Sequence, residues 1–156
     1  MKLSNIQILL IRLAVAGLFL SLGTDKIHEG WLTNARPLQE TLASFHGSAA
    51  GIHLFYLDKI AIPYAHIWSK AMAIGETAVG LSLLFGLLAR LSGILGILMV
   101  LNFYAANGSL YSLQFFGSPW SALLTAALLI LVLSRAGRWA GLDALLAKVN
   151  PKGMLW

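Results

Sequence analysis

Three side chains set in otherwise apolar runs carry the chemistry that the sequence offers: Arg12, Asn102, and Glu76 within IGETAVGLSLLFG (74–86). A charge at mid-membrane costs at least about 2.5–3.5 kcal/mol on insertion scales, so residues of this kind face a protein interior and pair there. Arginine stabilises negative charge at a dry site, a buried carboxylate orients a cation or passes protons, and an asparagine donates and accepts beside them. At about 1.5 Å rise per residue, Glu76 lies roughly 12 Å in from Trp68, Asn102 roughly 9 Å in from Gly108 and Arg12 roughly 16 Å in from Gly23. Steps of three and four place Arg12, Ala16, Phe19, Gly23 and Lys26 on one face of a first helix, and Glu76, Gly80, Leu83, Leu87 and Arg90 on one face of a second. The expectation is an Arg12–Glu76 pair, hydrogen-bonded by Asn102, in a pocket that opens outward. A purely structural ion pair accounts for this placement as well as a functional site does.

Lys26, His28, Trp31, Arg36, His53, His66 and Lys70 surround the expected mouth of that pocket. His66 and Lys70 stand one helical turn apart. Cationic donors beside an apolar pocket suit a small anion, and Lys26, Arg36, His66 and Lys70 are the expected anion contacts. Lys59 reads as a residue that snorkels to headgroups. The four histidines, at 28, 46, 53 and 66, lack the tight spacing of a metal or haem site, and no flavin motif is evident. With no cysteine in the chain, disulfides, iron–sulfur ligation and thiol redox catalysis by its own residues are excluded.

The elements that must position these residues are membrane helices. Of the 156 residues, 58% are hydrophobic and 11% charged, outside the range of an ordinary soluble domain. The fold expected is all-α, an integral membrane four-helix bundle forming a single domain over residues 1–156. Its spans fall at about 6–23, 71–89, 91–110 and 119–134. Arg12 interrupts the first apolar run and no small-residue cleavage pattern follows it, so that run is kept as a span and not a signal peptide.

Lys2, Arg90, Arg135, Arg138, Lys148 and Lys152 fall on one side of this arrangement and Lys26, Arg36, Lys59 and Lys70 on the other, which predicts both termini inside the cell. The net charge of +5 is explained by that inner rim and anionic lipid, with no runs or module pointing to nucleic acid. The long outer link, about 24–70, is expected to be partly helical, starting a short helix at Pro37 and turning at HGSAAG (46–51). Its apolar stretch 53–68 is expected to lie on or dip into the outer membrane face, with Trp31, Tyr56, Tyr64 and Trp68 at interfacial depth, and a lid is one role open to it. GRWAGLDALLAKV (137–149) reads as an amphipathic helix along the inner surface. Small residues in the spans, Gly75, Gly80, Gly93 and Gly96 among them, read as helix packing.

RLAVAGLFLSLGTDKIHEGWL (12–32), IGETAVGLSLLFGLLARLSGILGILMVLNFYAANG (74–108) and GRWAGLDALL (137–146) resemble the DoxX family of four-helix membrane proteins. Within that family the likeness is to DoxD-type small subunits of thiosulfate:quinone oxidoreductases. The resemblance implies oxidation of thiosulfate to tetrathionate with electrons passed to membrane quinone, and a second, DoxA-like subunit that this chain does not supply. A homo-oligomer is the other assembly considered. Arg12, Glu76 and Asn102 become the expected catalytic set, with quinone entering laterally between helices and resting beside Tyr104, Trp31 and Trp68. The expected location is the inner (cytoplasmic) membrane, multi-pass, with the active side outward. Two other classes fit the residues: a non-catalytic membrane adaptor or assembly subunit for a redox complex, and a small-anion or proton-coupled transporter. Only four spans, and no visible inverted repeat, weigh against transport.

Overall fold

The computed structural model describes residues 4–111, 114–150 and 153; Lys2 and Lys152, counted above toward orientation, lie outside them. All regular structure among the described residues is helical. Helix α1 (Asn5–His28) starts at a capping box, in which Gln7 N–H donates to Ser4 Oγ (3.3 Å) and the Ser4 N–H donates to Gln7 Oε1 (2.8 Å). A short α2 (Arg36–His46) and α3 (Gly51–Tyr56), which continues as a π-helical turn over Leu57–Ala61, fill the outer link. Then come α4 (Ala65–Phe85), α5 (Ala89–Ala106), a four-residue α6 (Gln114–Gly117), α7 (Pro119–Ser134) and α8 (Asp143–Val149).

The four longest helices close a ring, α1 on α4, α4 on α5, α5 on α7 and α7 back on α1. Small residues set the approach. A Cβ at Gly80 would stand 2.7 Å from Leu20 Cγ across α1 and α4, and one at Gly93 would stand 2.7 Å from Val132 Cγ2 across α5 and α7. Val15, Phe19, Val79, Leu83, Leu128 and Leu131 fill the space inside the ring. Helices α1 and α5 are long and apolar enough to cross a membrane, and α7 is as apolar but shorter. The chain is a membrane protein of this helical kind. The apolar stretches expected as spans fall largely within α1, α4, α5 and α7, of which α1 and α5 have the length and apolarity to cross a membrane; the second helix starts at Ala65 and stops at Phe85, not near residue 89. Gly86 takes a left-handed φ of 63° there and turns the chain toward α5.

Two further departures concern the connecting segments. The outer link is more helical than a lid with one short helix: Leu38 and Leu42 of α2 and Leu57 and Ala61 of the π turn are buried in a second core with Trp31, Met72 and Ala106. The amphipathic helix expected over 137–149 begins only at Asp143. Residues 136–142 instead fold back onto the α4–α5 turn, where Leu142 N–H donates to Phe85 O (3.0 Å) and Asp143 N–H to Gly86 O (2.9 Å). The Asp143 carboxylate is fully buried and accepts from the N–H groups of Leu88 (2.6 Å) and Ala89 (2.9 Å), capping the start of α5. A helix lying free on the surface would leave those amides without this acceptor.

Candidate functional site

Between the ends of α1, α4 and α5 and the α2–α3 segment packed over them lies a cavity of about 250 Å³. Each wall follows from a local pattern. Leu38, Leu42 and Phe45, at steps of four and three on α2, turn inward as its apolar stripe, with Thr41 beside them. Phe19, Leu22 and Lys26 come from one face of α1, Met72 and Glu76 from α4, and Met99, Asn102 and Tyr104 from α5. The surface is mostly apolar, and beside the hydroxyls of Thr41 and Tyr104 it carries two polar pairs.

The first pair joins α1 to α4. Lys26 Nζ donates to Glu76 Oε2 at 2.6 Å, with the two side chains 16% and 8% exposed. Lys26 Nζ also stands 5.4 Å from the centroid of the Trp31 ring, a cation–π contact that adds to its hold. Trp31 is itself fixed, its indole N–H donating to Glu29 Oε2 (2.8 Å) and its carbonyl accepting from Ser69 Oγ (2.6 Å). The second pair joins the outer segment to α5: Tyr56 Oη donates to Asn102 Oδ1 at 2.6 Å. Burial, and then the nearby Tyr111 phenol, push the Tyr56 phenol above its usual range, so Tyr56 remains a donor. Nearby, His53 Nε2 lies 2.9 Å from Ala106 O and closes the end of α5. A Cβ at Gly108, whose φ is 82°, would press within 2.7 Å of that imidazole.

Glu76, Asn102, Lys26, Tyr104, Trp31 and Trp68 all line this cavity, as the sequence places them. Arg12 does not. Its guanidinium turns toward the opposite end of the molecule, where Nη1 donates to Ala136 O (2.9 Å) and Trp139 O (3.3 Å) and Nη2 to Ala140 O (2.8 Å). The cause is local: Arg135 and Ala140 have left-handed φ values of 50° and 52°, so the carbonyls between them are outside any helix and need donors. The expected Arg12–Glu76 pair is therefore replaced by Lys26–Glu76. Lys26 sits on the same face of α1 as Arg12, fourteen residues or about 21 Å along, at the level of Glu76.

The expected ring of anion contacts is also reduced. Arg36 is 77% exposed and pairs with Glu40 one turn on (3.0 Å), while His66 and Lys70 are exposed on α4. Ser69 and Met72 occupy the inward face of that stretch, which turns positions 66 and 70 away from the cavity. Only Lys26 of the four lines the cavity. Tyr56 is the residue that sequence reading missed as a site member. Its signal was weak, one aromatic in an apolar stretch expected at the membrane surface, and its partner lies 46 positions away.

The family model DoxX matches residues 7–107, more than half of the chain, a range that holds both polar pairs and ends before the 136–143 turn. No curated protein and no solved structure matches the chain.

Proposed function

The chain belongs to the DoxX family, and on that premise we propose that it is a quinone-linked membrane oxidoreductase acting on a small sulfur anion, with thiosulfate to tetrathionate as the reaction. The observation that carries the reading is the cavity, mostly apolar, with the Lys26–Glu76 and Tyr56–Asn102 pairs set in its wall. A quinone head is a flat apolar ring with carbonyl oxygens at its edges, and it requires apolar walls with a few directed donors. Asn102, whose Oδ1 accepts from Tyr56, presents its amide N–H groups to such an oxygen, and Tyr104 and Trp68 supply the flanking walls. Quinone, when bound, supplies a two-electron acceptor: two thiosulfates become one tetrathionate, and the two electrons with two protons yield quinol.

The chain's own part is position and charge. Lys26 holds a sulfur anion at the mouth, Glu76 orients that lysine and passes protons, and the covering segment excludes bulk water. All four long helices cross the inner membrane in this reading, with both termini inside and the cavity outward. The cations at the closed end of the ring, Arg90, Arg135, Arg138 and Lys148, support that orientation. The test is thiosulfate-dependent quinol formation by protein reconstituted in proteoliposomes. Thiosulfate supplied outside to right-side-out vesicles should drive it and thiosulfate confined inside should not; no quinol from either side sinks the reading. The exposure of His66 and Lys70 favours one second reading, an adaptor that docks an acidic redox partner, such as a DoxA-like subunit, and binds no quinone.

A further inference from the structure

Around the ring the seams are unequal. Helices α1 and α4 interlock at Gly80 against Leu20, whereas α4 and α5 leave an open groove of about 620 Å³ along their outer seam. Ala71, Gly75 and Ala78 of α4 carry too little side chain to fill it, and Leu91, Leu95 and Leu98 of α5 form its other wall. At its inner end Ser92 donates to Ser82 (2.5 Å) and Ser82 to the Leu87 carbonyl, so those hydroxyls are satisfied and the groove presents hydrocarbon. At its outer end it meets the cavity. Trp68, Met72, Met99 and Asn102 line both spaces, and the partition between them is thioether: Met99 Cε would stand 3.0 Å from a Cβ at Gly75. Methionine is unbranched and adaptable, and such a partition yields without moving a helix.

We propose that the α4–α5 groove holds the hydrocarbon tail of the amphiphile whose ring occupies the cavity, an isoprenoid quinone, and that Met72 and Met99 form the portal between ring and tail. This rests on the quinone reading of the cavity and assigns the half of the ligand that the cavity is too small to hold. From Trp68 to Ser82 the groove follows fourteen residues of α4, about 21 Å, enough for several isoprene units. A bilayer acyl chain also suits an apolar groove, but it carries no ring to set among Tyr56, Asn102 and Tyr104. Continuity with the polar cavity selects a chain attached to a head that the cavity accepts.

The test uses the whole protein in phosphatidylcholine–phosphatidylglycerol nanodiscs and a quinone analogue bearing a diazirine at the end of its prenyl chain. Photolabelling should fall within 75–82 and 91–98, and both unlabelled long-chain quinone and a tailless quinone should displace it. Ala78→Phe, which fills the groove from an exposed position, should cut the labelling about tenfold, the scale of a lost hydrophobic subsite, while Ile74→Phe on another face leaves it unchanged. Labelling spread over other faces, or unchanged in Ala78→Phe, overturns the proposal. Groove labelling that tailless quinone does not displace overturns it in favour of a lipid chain. Thiosulfate-driven reduction of tailless quinone separates the two readings: if it persists while the groove stays unlabelled, the tail assignment alone fails, and if tailless quinone neither displaces label nor is reduced, the quinone reading fails with it.

Discussion

At the scale of single residues the site depends on one ion pair and one neutral pair. Lys26 and Glu76 are both largely removed from water, so deleting one partner strands the other charge, a loss of about 3–5 kcal/mol for a buried pair. Lys26→Ala and Glu76→Ala should each lower the unfolding midpoint markedly in detergent. The double variant Lys26→Met/Glu76→Leu should recover most of that loss and none of the turnover. Equal instability in the double and single variants would show that the pair contributes more than mutual neutralisation.

The neutral pair makes a pH prediction. Burial and Tyr111 raise the folded-state Tyr56 phenol, so the folded protein holds that proton more tightly than the unfolded chain. Its contribution to stability is complete below the ordinary phenol value of about 10 and is lost as pH rises through the folded value. Tyr56→Phe should flatten the decline of stability above pH about 10. A decline unchanged in that variant assigns it to other groups. Glu76 and Asn102 were legible in the sequence because polar residues in apolar runs stand out. The partner of Glu76 was not, since helical periodicity gives the face of α1 but not which of two cations on that face, Arg12 or Lys26, turns toward it.

At the scale of elements the informative feature is the return of the chain after α7. Arg12 holds three carbonyls of 136–140, and Asp143 caps the first amides of α5, so one turn ties α1, the α4–α5 link and the C-terminal segment together. Asp143→Ala removes two charge-assisted bonds at a helix start and should cost about 1–2 kcal/mol, near the upper range for an N-cap. Arg12→Ala should expose the segment around Arg135 and Arg138 to trypsin while the outer cavity keeps its ligand. Protection equal to the wild type, or loss of quinone binding with the fold intact, would contradict this placement. The long helices were readable from hydropathy and the start of α2 from Pro37, whereas the inward stripe of α2 and the helical stretch 51–61 were not. The 136–142 turn was not, because GRWAGLD satisfies an amphipathic pattern equally well. What decides against the helix is a contact with the α4–α5 turn 54 to 57 positions away, which no local pattern encodes.

At the scale of the whole molecule the two ends of the helical ring do different work. One end is fastened by Arg12 and Asp143, and the other is opened by the covering segment into a cavity with two polar pairs. This separation reassigns roles: Arg12 belongs to the fastening, and Arg36, His66 and Lys70 lie on the outside. The all-helical class and the two spanning-length helices α1 and α5 followed from composition and apolar length, whereas the division between fastened and open ends needed the tertiary contacts.

If the reaction occurs in the Lys26–Glu76 cavity, thiosulfate-dependent quinol formation in nanodiscs by the wild type, Glu76→Gln and Arg36→Ala reports it. The prediction is activity in the wild type, a loss of at least about a hundredfold in Glu76→Gln, the scale of a removed acid–base group, and no material change in Arg36→Ala. Wild-type turnover in a folded Glu76→Gln protein would contradict it.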